Sequence, residues 1–428
     1  MKKMKYQNVK GTQDYLGKNA VIRRNVKRTI EETCELYGCQ PFETPILNYT
    51  ELMASKYAGG AEILEEMYTL SDRGERDLAL RYDLTIPFSK VIATNPTLRM
   101  PFKRYEIGKV FRDGPIKTGR NREFTQADVD ITGVKTQAAE AELMMLAVDV
   151  FQKLELDIVI QYNNRKLLGG ILEGYGVPED MMATVVLSLD KVEKIGVEDV
   201  VKELHDKRIP DDAVLLIEKL LNNVDATSLV YFQSDITEKN EQTREGIADL
   251  EELQGYLSAL GIDDRCEFNP FLARGLEIYT GTIYEVFLKD NSTLSSSIGS
   301  GGRYDDAIGG LIGSDQRYPT VGISFGVDVI CTALSMITSD EDMKALADVY
   351  IIPLGTEKEA LKLAKTMRQD GLRVEVEYGK KKVGKGMDRA NREGIRYVVV
   401  LGDSEVNENK YAMKDMRTGN NEEFRYNF

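Results

Sequence analysis

An α+β protein built as a large mixed domain followed by a small α/β domain is what the sequence predicts, and three observations predict it. Two strand-like runs, RYEIGKVFR and REFTQADVDITG, flank a basic, glycine-bearing loop, DGPIKTGRN. The stretch from about 166 to 261 turns to amphipathic helical texture rich in Glu, Lys and Leu. Beyond 346 the patterns ADVYIIPLG, EALKLAKTMRQDG, LRVEVEY, GKGMDRANREG and IRYVVVLG alternate strand and helix, which is the pattern of a largely parallel sheet.

Each element follows from local pattern. Ile22, Val26, Ile30 and Cys34 recur every fourth residue and Gly38 closes the run, so the first element is an amphipathic helix. CQPFETPILNY is extended, with Pro41 and Pro45. LALRYDLTIPF reads as a half-buried strand, Leu78, Leu80 and Tyr82 on one face and Arg81 and Asp83 on the other, running into a helix capped by Thr85 with Pro87 early in it. After the basic hairpin come a helix through 138–153 and the strand LDIVIQYNN. Strands return over 265–288, followed by the serine- and glycine-rich STLSSSIGSGGRYDDAIGG and by VGISFGVDVICTALSM. The boundaries expected are a first domain at 1–336 with a helical insertion at about 166–261, a linker at 337–345 and a second domain at 346–428.

Composition narrows the chemistry. With 428 residues, 42% hydrophobic and 29% charged, the chain is long for one core and ordinary for a water-soluble protein. No apolar run is long enough to span a membrane and the N-terminus has no apolar signal core, so the cytoplasm is the expected compartment. Four cysteines form no CxxC pair and are read as reduced. The single histidine, His205, lies in the polar pattern KELHDKRIP and is read as solvated; a multi-histidine metal site within one chain is impossible. The net charge of −14 argues against indiscriminate nucleic-acid coating and leaves two local basic patches, one around Lys117 and Arg120, the other at Lys380, Lys381 and Lys382.

Arg274, in the apolar stretch FLARGLEIYTGTIYEVF, needs an anion: either a structural partner such as Glu277 or Glu285, or a substrate carboxylate or phosphate. Arg112 ends a strand that feeds the basic loop, and Gly299, Gly301 and Gly302 beside Arg303 let a ligand approach the backbone. There is no GxxxxGK[ST] and no GxGxxG opening a helix after a strand. Asp83 and Asp130 each interrupt a strand pattern. With Gln126 and Thr85 they suit an amino group and a ring nitrogen of a small ligand.

GTQDYL, LRYDLTIPF, VFRDGPIKTGRNREFTQADVDITG, LARGLEIYTGTIYEV and GSGGRYDDAIGG together resemble the histidyl-tRNA synthetases, which are class II aminoacyl-tRNA synthetases, along nearly the whole chain. The resemblance implies an antiparallel catalytic sheet flanked by helices, a homodimer formed through the first motif and an α/β anticodon-binding domain. It implies a ligase that converts L-histidine and ATP, with Mg²⁺, to histidyl-adenylate and pyrophosphate and then charges tRNA(His). In that frame Arg274 and Arg112 are catalytic. Asp83, Thr85, Gln126, Asp130, Ile278, Tyr279 and Tyr304 line the histidine pocket. Arg112, Asp113, Phe124 and Arg303 hold ATP, with Phe124 stacked on adenine. Lys117, Arg120, Lys380, Lys381 and Lys382 contact tRNA, and no protein-held metal is implied.

Three departures stand out. Ile278 replaces an aromatic residue before Tyr279, and Gly114 stands where an acidic residue usually follows the motif 2 arginine, leaving Asp113 to fill that role. The third motif ends in Asp328 and Val329 where the family has Glu-Arg. Arg303, Arg120 or another cation of the motif 2 loop is expected to supply the missing charge. The alternative reading is a histidine-binding regulatory relative that does not charge tRNA, such as the regulatory subunit of ATP phosphoribosyltransferase.

Overall fold

The computed structural model describes residues 6–55, 61–116, 119, 121–235, 240–273, 278–290, 292, 294–337, 345–379 and 382–428. The chain divides into two compact units, Met1–Ser335 and Met336–Phe428.

The first unit is built on an eight-stranded sheet. In chain order its strands are β1 (Gln40–Pro41), β2 (Phe102–Phe111), β3 (Glu123–Thr132), β4 (Ile158–Asn164), β5 (Cys266–Phe268), β6 (Thr282–Leu288), β7 (Gly299–Arg303) and β8 (Thr320–Gly326). In space they run β1-β2-β3-β8-β7-β6-β4-β5. The six inner strands pair antiparallel, as expected, while the short edge strands β1 and β5 pair parallel to β2 and β4. A separate three-stranded sheet joins Leu47–Tyr49, Thr69–Ser71 and Asp77–Leu80.

Alternation along β3 explains how the sheet is covered. Ala127, Val129 and Ile131 are buried apolar residues on one face. Helix α1 (Gly17–Leu36), whose Val26, Ile30 and Cys34 are fully buried, and helix α3 (Ala138–Lys153) supply the apolar layer of this unit. Between these two in chain order lies α2 (Thr85–Thr94). Thr85 is its first residue and not its cap: the carboxylate that meets the helix N-terminus is Asp83, whose Oδ1 accepts from the Ile86 N–H at 3.1 Å. An aspartate two residues before the helix competes better than a threonine already inside it, because its side chain can fold back onto orphan N–H groups.

The insertion is helical, as its texture implied. Its helices Arg165–Gly174 and Glu241–Leu260 approach closely at Gly170 and Gly246: a Cβ on either glycine would press on Thr243 or on Leu167. A helix over 182–189 and others through 192–206 and 211–221 enclose a core of Leu168, Val185, Leu189, Val200, Leu204 and Ile217. His205 is exposed and faces Asp211 at 3.2 Å.

In the second unit β9 (Val349–Pro353), β10 (Val374–Val376) and β11 (Tyr397–Leu401) are parallel, with intervening helices at Glu357–Gln369 and Val383–Arg392. An antiparallel hairpin, β12 (Lys410–Asp415) and β13 (Asn421–Arg425), extends the sheet in the order β10-β9-β11-β12-β13. No helix among the described residues is long and apolar enough to cross a membrane. All four cysteines are free.

Candidate active site

The face of β3 opposite Ala127, Val129 and Ile131 is polar, and pairing with its neighbours sets it out in rows. Arg104 on β2, Asp130 on β3, Gly322 on β8 and Gly302 on β7 form one row. Glu106, Asp128, Ser324 and Ser300 form the next, followed by Gly108, Gln126 and Gly326, and then by Val110 and Phe124. Residues two apart in a strand share a face, so Phe124, Gln126, Asp128 and Asp130 line one surface.

Glycines let neighbouring side chains lie close over this surface. A Cβ on Gly322 would collide with Asp130 Oδ1, and one on Gly302 would lie 2.8 Å from Tyr279 Cδ1. The Asp130 carboxylate and the Tyr279 ring therefore each occupy space that a side chain would otherwise fill. Tyr304 donates its phenolic hydrogen to Asp130, and Ile278 packs with Tyr82, Ile86 and Tyr304 in the apolar cluster behind the pocket. In this structure Ile278 contributes to the wall through packing.

Beneath the rows lies a buried charge network. Arg104, with no exposed surface, pairs with Asp130 Oδ2 at 2.6 Å and lies 4.4 Å from the Phe88 ring centroid. Glu106 pairs with Arg81 at 2.7 Å and accepts from Thr44 N–H and hydroxyl at 2.9 Å. Arg81, expected on the face opposite Leu78, Leu80 and Tyr82, is 3% exposed because this pairing draws it in. Burial raises the Asp130 carboxyl above the usual range, against Arg104 and Tyr304. It pushes Asp83 up to about 6, opposed by the Ile86 N–H and Arg112, and Asp128 up to about 7, opposed by Arg104.

Several buried atoms here have no hydrogen-bond partner: Gln126 Oε1 and Asp128 Oδ1 on the pocket face, and Nε and Nη1 of Arg104 below it. Gln126 donates one amide hydrogen to Ser324 Oγ at 2.9 Å, and its carbonyl oxygen has no partner. Native interiors rarely tolerate unsatisfied acceptors, and a group of them on one polar face marks a candidate ligand site.

Arg112 sits at the far end of the same surface. Its guanidinium lies 5.3 Å from the Phe124 ring centroid and its Nε donates to Tyr82 O at 3.1 Å. Asp113 is exposed and pairs with Arg122 at 2.7 Å. Thr85 opens α2 beside Asp83.

Not every candidate is brought there. Arg303 alternates onto the opposite face, where Glu140 on α3 takes its Nε at 2.6 Å and Nη2 at 2.8 Å, and Val134 O accepts from Nη1. It is 5% exposed and its fork is filled, so it neither holds ATP in this geometry nor replaces the third-motif arginine. Arg274, Lys117, Arg120, Lys380 and Lys381 lie outside the described residues; Lys382 directly precedes the helix Val383–Arg392.

The third-motif residues open helix α4 (Val327–Ile337). Asp328 accepts from Arg23 at 2.9 and 3.2 Å, from Thr125 N–H at 2.7 Å and from the Tyr15 hydroxyl. It thus locks α1 and β3 to α4. Val329 instead packs toward the basic loop: a Cβ on Gly119 would lie 3.6 Å from its Cγ2.

Comparison with known proteins identifies the family. Residues 11–330 match the model for histidyl-tRNA synthetase, and 348–427 match that for the anticodon binding domain. This chain belongs to the histidyl-tRNA synthetase family. It is 54% identical over its whole length, and over all of the relative's, to histidine--tRNA ligase 2 of Shouchella clausii. It is 53% identical to histidine--tRNA ligase 1 of Bacillus cereus, covering 97% of this chain and 96% of that one. Among solved structures, histidyl-tRNA synthetase from Nostoc superposes with a TM-score of 0.85 at 28% identity, covering 99% of this chain and 97% of the other. An ATP phosphoribosyltransferase regulatory subunit/histidyl-tRNA synthetase from Bacillus halodurans has a TM-score of 0.75 at 18% identity, covering 94% of this chain and 99% of that one, which shows a shared fold.

Proposed function

We propose that this chain is a histidine--tRNA ligase whose amino-acid pocket is the polar face of β3 and β8. It activates L-histidine with ATP, releasing pyrophosphate, and transfers the histidyl group to the 3′ end of tRNA(His). The observation that carries the pocket assignment is the pair of unpartnered acceptors of Gln126 and Asp128 on the same face of β3 as Asp130. A small cationic amino acid with ring N–H donors complements such a surface. Asp83 and Gln126 receive the α-ammonium beside Thr85, and Asp130 and Tyr279 receive the imidazole. Phe124 stacks on adenine while Arg112 meets the ATP phosphates, and Asp113 orients the loop through Arg122. Mg²⁺ arrives with ATP as the counter-ion of its phosphates and is part of the substrate.

The chemical step brings a carboxylate against an α-phosphate, two anions in line. Arg274 is assigned to offset that repulsion as charge develops, so catalysis is positioning and electrostatic stabilisation with no general base. The regulatory alternative is not favoured: curated relatives 54% and 53% identical carry ligase names and match over nearly the full chain, and the anticodon-binding model is matched as well. The second unit, with Lys380, Lys381 and Lys382 and the motif 2 loop cations Lys117 and Arg120, is assigned to tRNA contact. Exposed apolar residues Ile46, Leu47, Tyr49 and Leu70 support a homodimer formed near the first motif. We place the enzyme in the cytoplasm with its tRNA.

Histidine-dependent ATP–pyrophosphate exchange tests the reading. The wild type should exchange, and Arg274→Ala should lose about 10²–10³ in rate while still binding histidine. Histidine binding without exchange in the wild type would instead favour the regulatory reading.

A further inference from the structure

Asp128 lies on the same polar face, the resemblance gives it no role, and the charges around it show what it requires. Asp128 is 4% exposed, shares its face with Asp130 and Gln126, and has a buried Oδ1 without a partner. The charged groups around it are otherwise matched. On β2, Glu106 directly opposite pairs with Arg81 and lies 3.5 Å from Arg104 Nη1, while Arg104 Nη2 pairs with Asp130, the neighbour on Asp128's own strand, and the Arg104 charge opposes the Asp128 shift only in part. On β8 the facing residue is the neutral Ser324, whose hydroxyl contacts it. Tyr304 is spent on Asp130. From the turn before α2 comes Asp83, a second carboxyl whose charge adds to the problem. Arg112 opposes the charge of Asp83, whereas Asp128 remains without a cation of its own among these groups. The α-ammonium of histidine is directed to Asp83 and Gln126 in the reading above, so a cation for Asp128 has to come from the ring, which supplies one only when protonated.

We infer that Asp128 is a second carboxylate of the histidine side-chain pocket and that it selects the protonated ring, accepting a hydrogen bond from one imidazolium N–H while Asp130 accepts from the other. This inference rests on the functional reading above. An imidazolium has two donors and no acceptor, which suits two flanking carboxylates. The consequence is proton uptake. A free imidazole titrates near 6.5 and is about 97% neutral at pH 8, whereas free Asp128, pushed up to about 7, is mostly ionised there, so the complex gains a proton that neither partner carried. Affinity linked to uptake of one proton falls about tenfold per pH unit once both free groups have lost theirs.

Calorimetry of histidine binding to the full chain at pH 8, in buffers of different ionisation enthalpy, should show uptake approaching one proton per histidine. The wild-type Kd should rise about tenfold between pH 7 and 8.5. Asp128→Asn should cut the uptake by at least half and flatten the pH dependence, the α-amino contribution being common to both proteins. Ring-labelled ¹⁵N-histidine bound to wild type at pH 8 should give imidazolium shifts. Neutral-ring shifts, or binding with no buffer dependence, would overturn the inference even if the variant failed to fold, because both are read on the wild type. No histidine binding in any buffer would overturn the functional reading, and the inference with it.

Discussion

Gly322 lacks a side chain because Asp130 occupies the space one would need. Gly322→Ala should therefore leave the sheet intact, since the backbone pairs equally well with alanine, while displacing the carboxylate from Arg104 and Tyr304. Titration should show histidine affinity reduced at least about tenfold, about 1.4 kcal/mol, with ATP affinity unchanged. Equal loss for both ligands would mean the strand itself had moved. Such pairings explain what one sequence can and cannot show. Asp83, Gln126, Asp130, Tyr279 and Tyr304 were legible because they sit in motifs. Arg104 and Asp128 were not, because a charge alternating with apolar residues reads as solvent-facing until the register across β2 and β3 shows both faces covered. Arg303 failed in the opposite sense. It stands beside the pocket glycines in sequence, and strand alternation turns it onto Glu140.

At the scale of elements, amphipathic α1 was legible from its four-residue apolar period, whereas its tie to the rest of the site was not. That tie is Arg23, 8% exposed, which grips Asp328 at the start of α4. Asp328→Ala would leave a buried guanidinium uncompensated and should lower stability by about 3–5 kcal/mol in urea unfolding. The double variant Arg23→Met, Asp328→Leu should recover much of that, because a buried ion pair contributes little over a well-packed apolar one. No recovery would show that Tyr15 and Thr125 depend on the carboxylate too. The C-terminal hairpin of β12 and β13 escaped the sequence reading for a simpler reason: NEEFR is mostly exposed along its length and carries no two-residue apolar alternation.

For the whole molecule, charge sets two behaviours. An acidic chain, net −14, can hold tRNA only through local cationic patches, so replacing Lys380, Lys381 and Lys382 together by alanine should weaken tRNA charging and flatten its salt dependence while ATP–pyrophosphate exchange persists. Equal loss of both activities would reject the assignment of the second unit to tRNA. The other behaviour is stability against pH. An unfolded aspartate titrates near 3.9, and folded Asp128 near 7, so between those values the folded state holds the extra proton. Stability from this group consequently falls as pH rises through that window, and at pH 8 its whole cost is present, on the order of 4 kcal/mol. Asp83, near 6, adds a cost of the same sign that is complete by pH 7. Asp128→Asn removes the larger part. The variant should melt above wild type at pH 8, the gap narrowing toward pH 4 and closing below it, where the wild-type carboxyl is protonated in both states. Saturating histidine at pH 8 should raise the wild-type melting temperature more than the variant's, because the ligand supplies the cation that the empty pocket lacks. A variant no more stable than wild type at pH 8 would show that the empty pocket already stabilises the Asp128 charge.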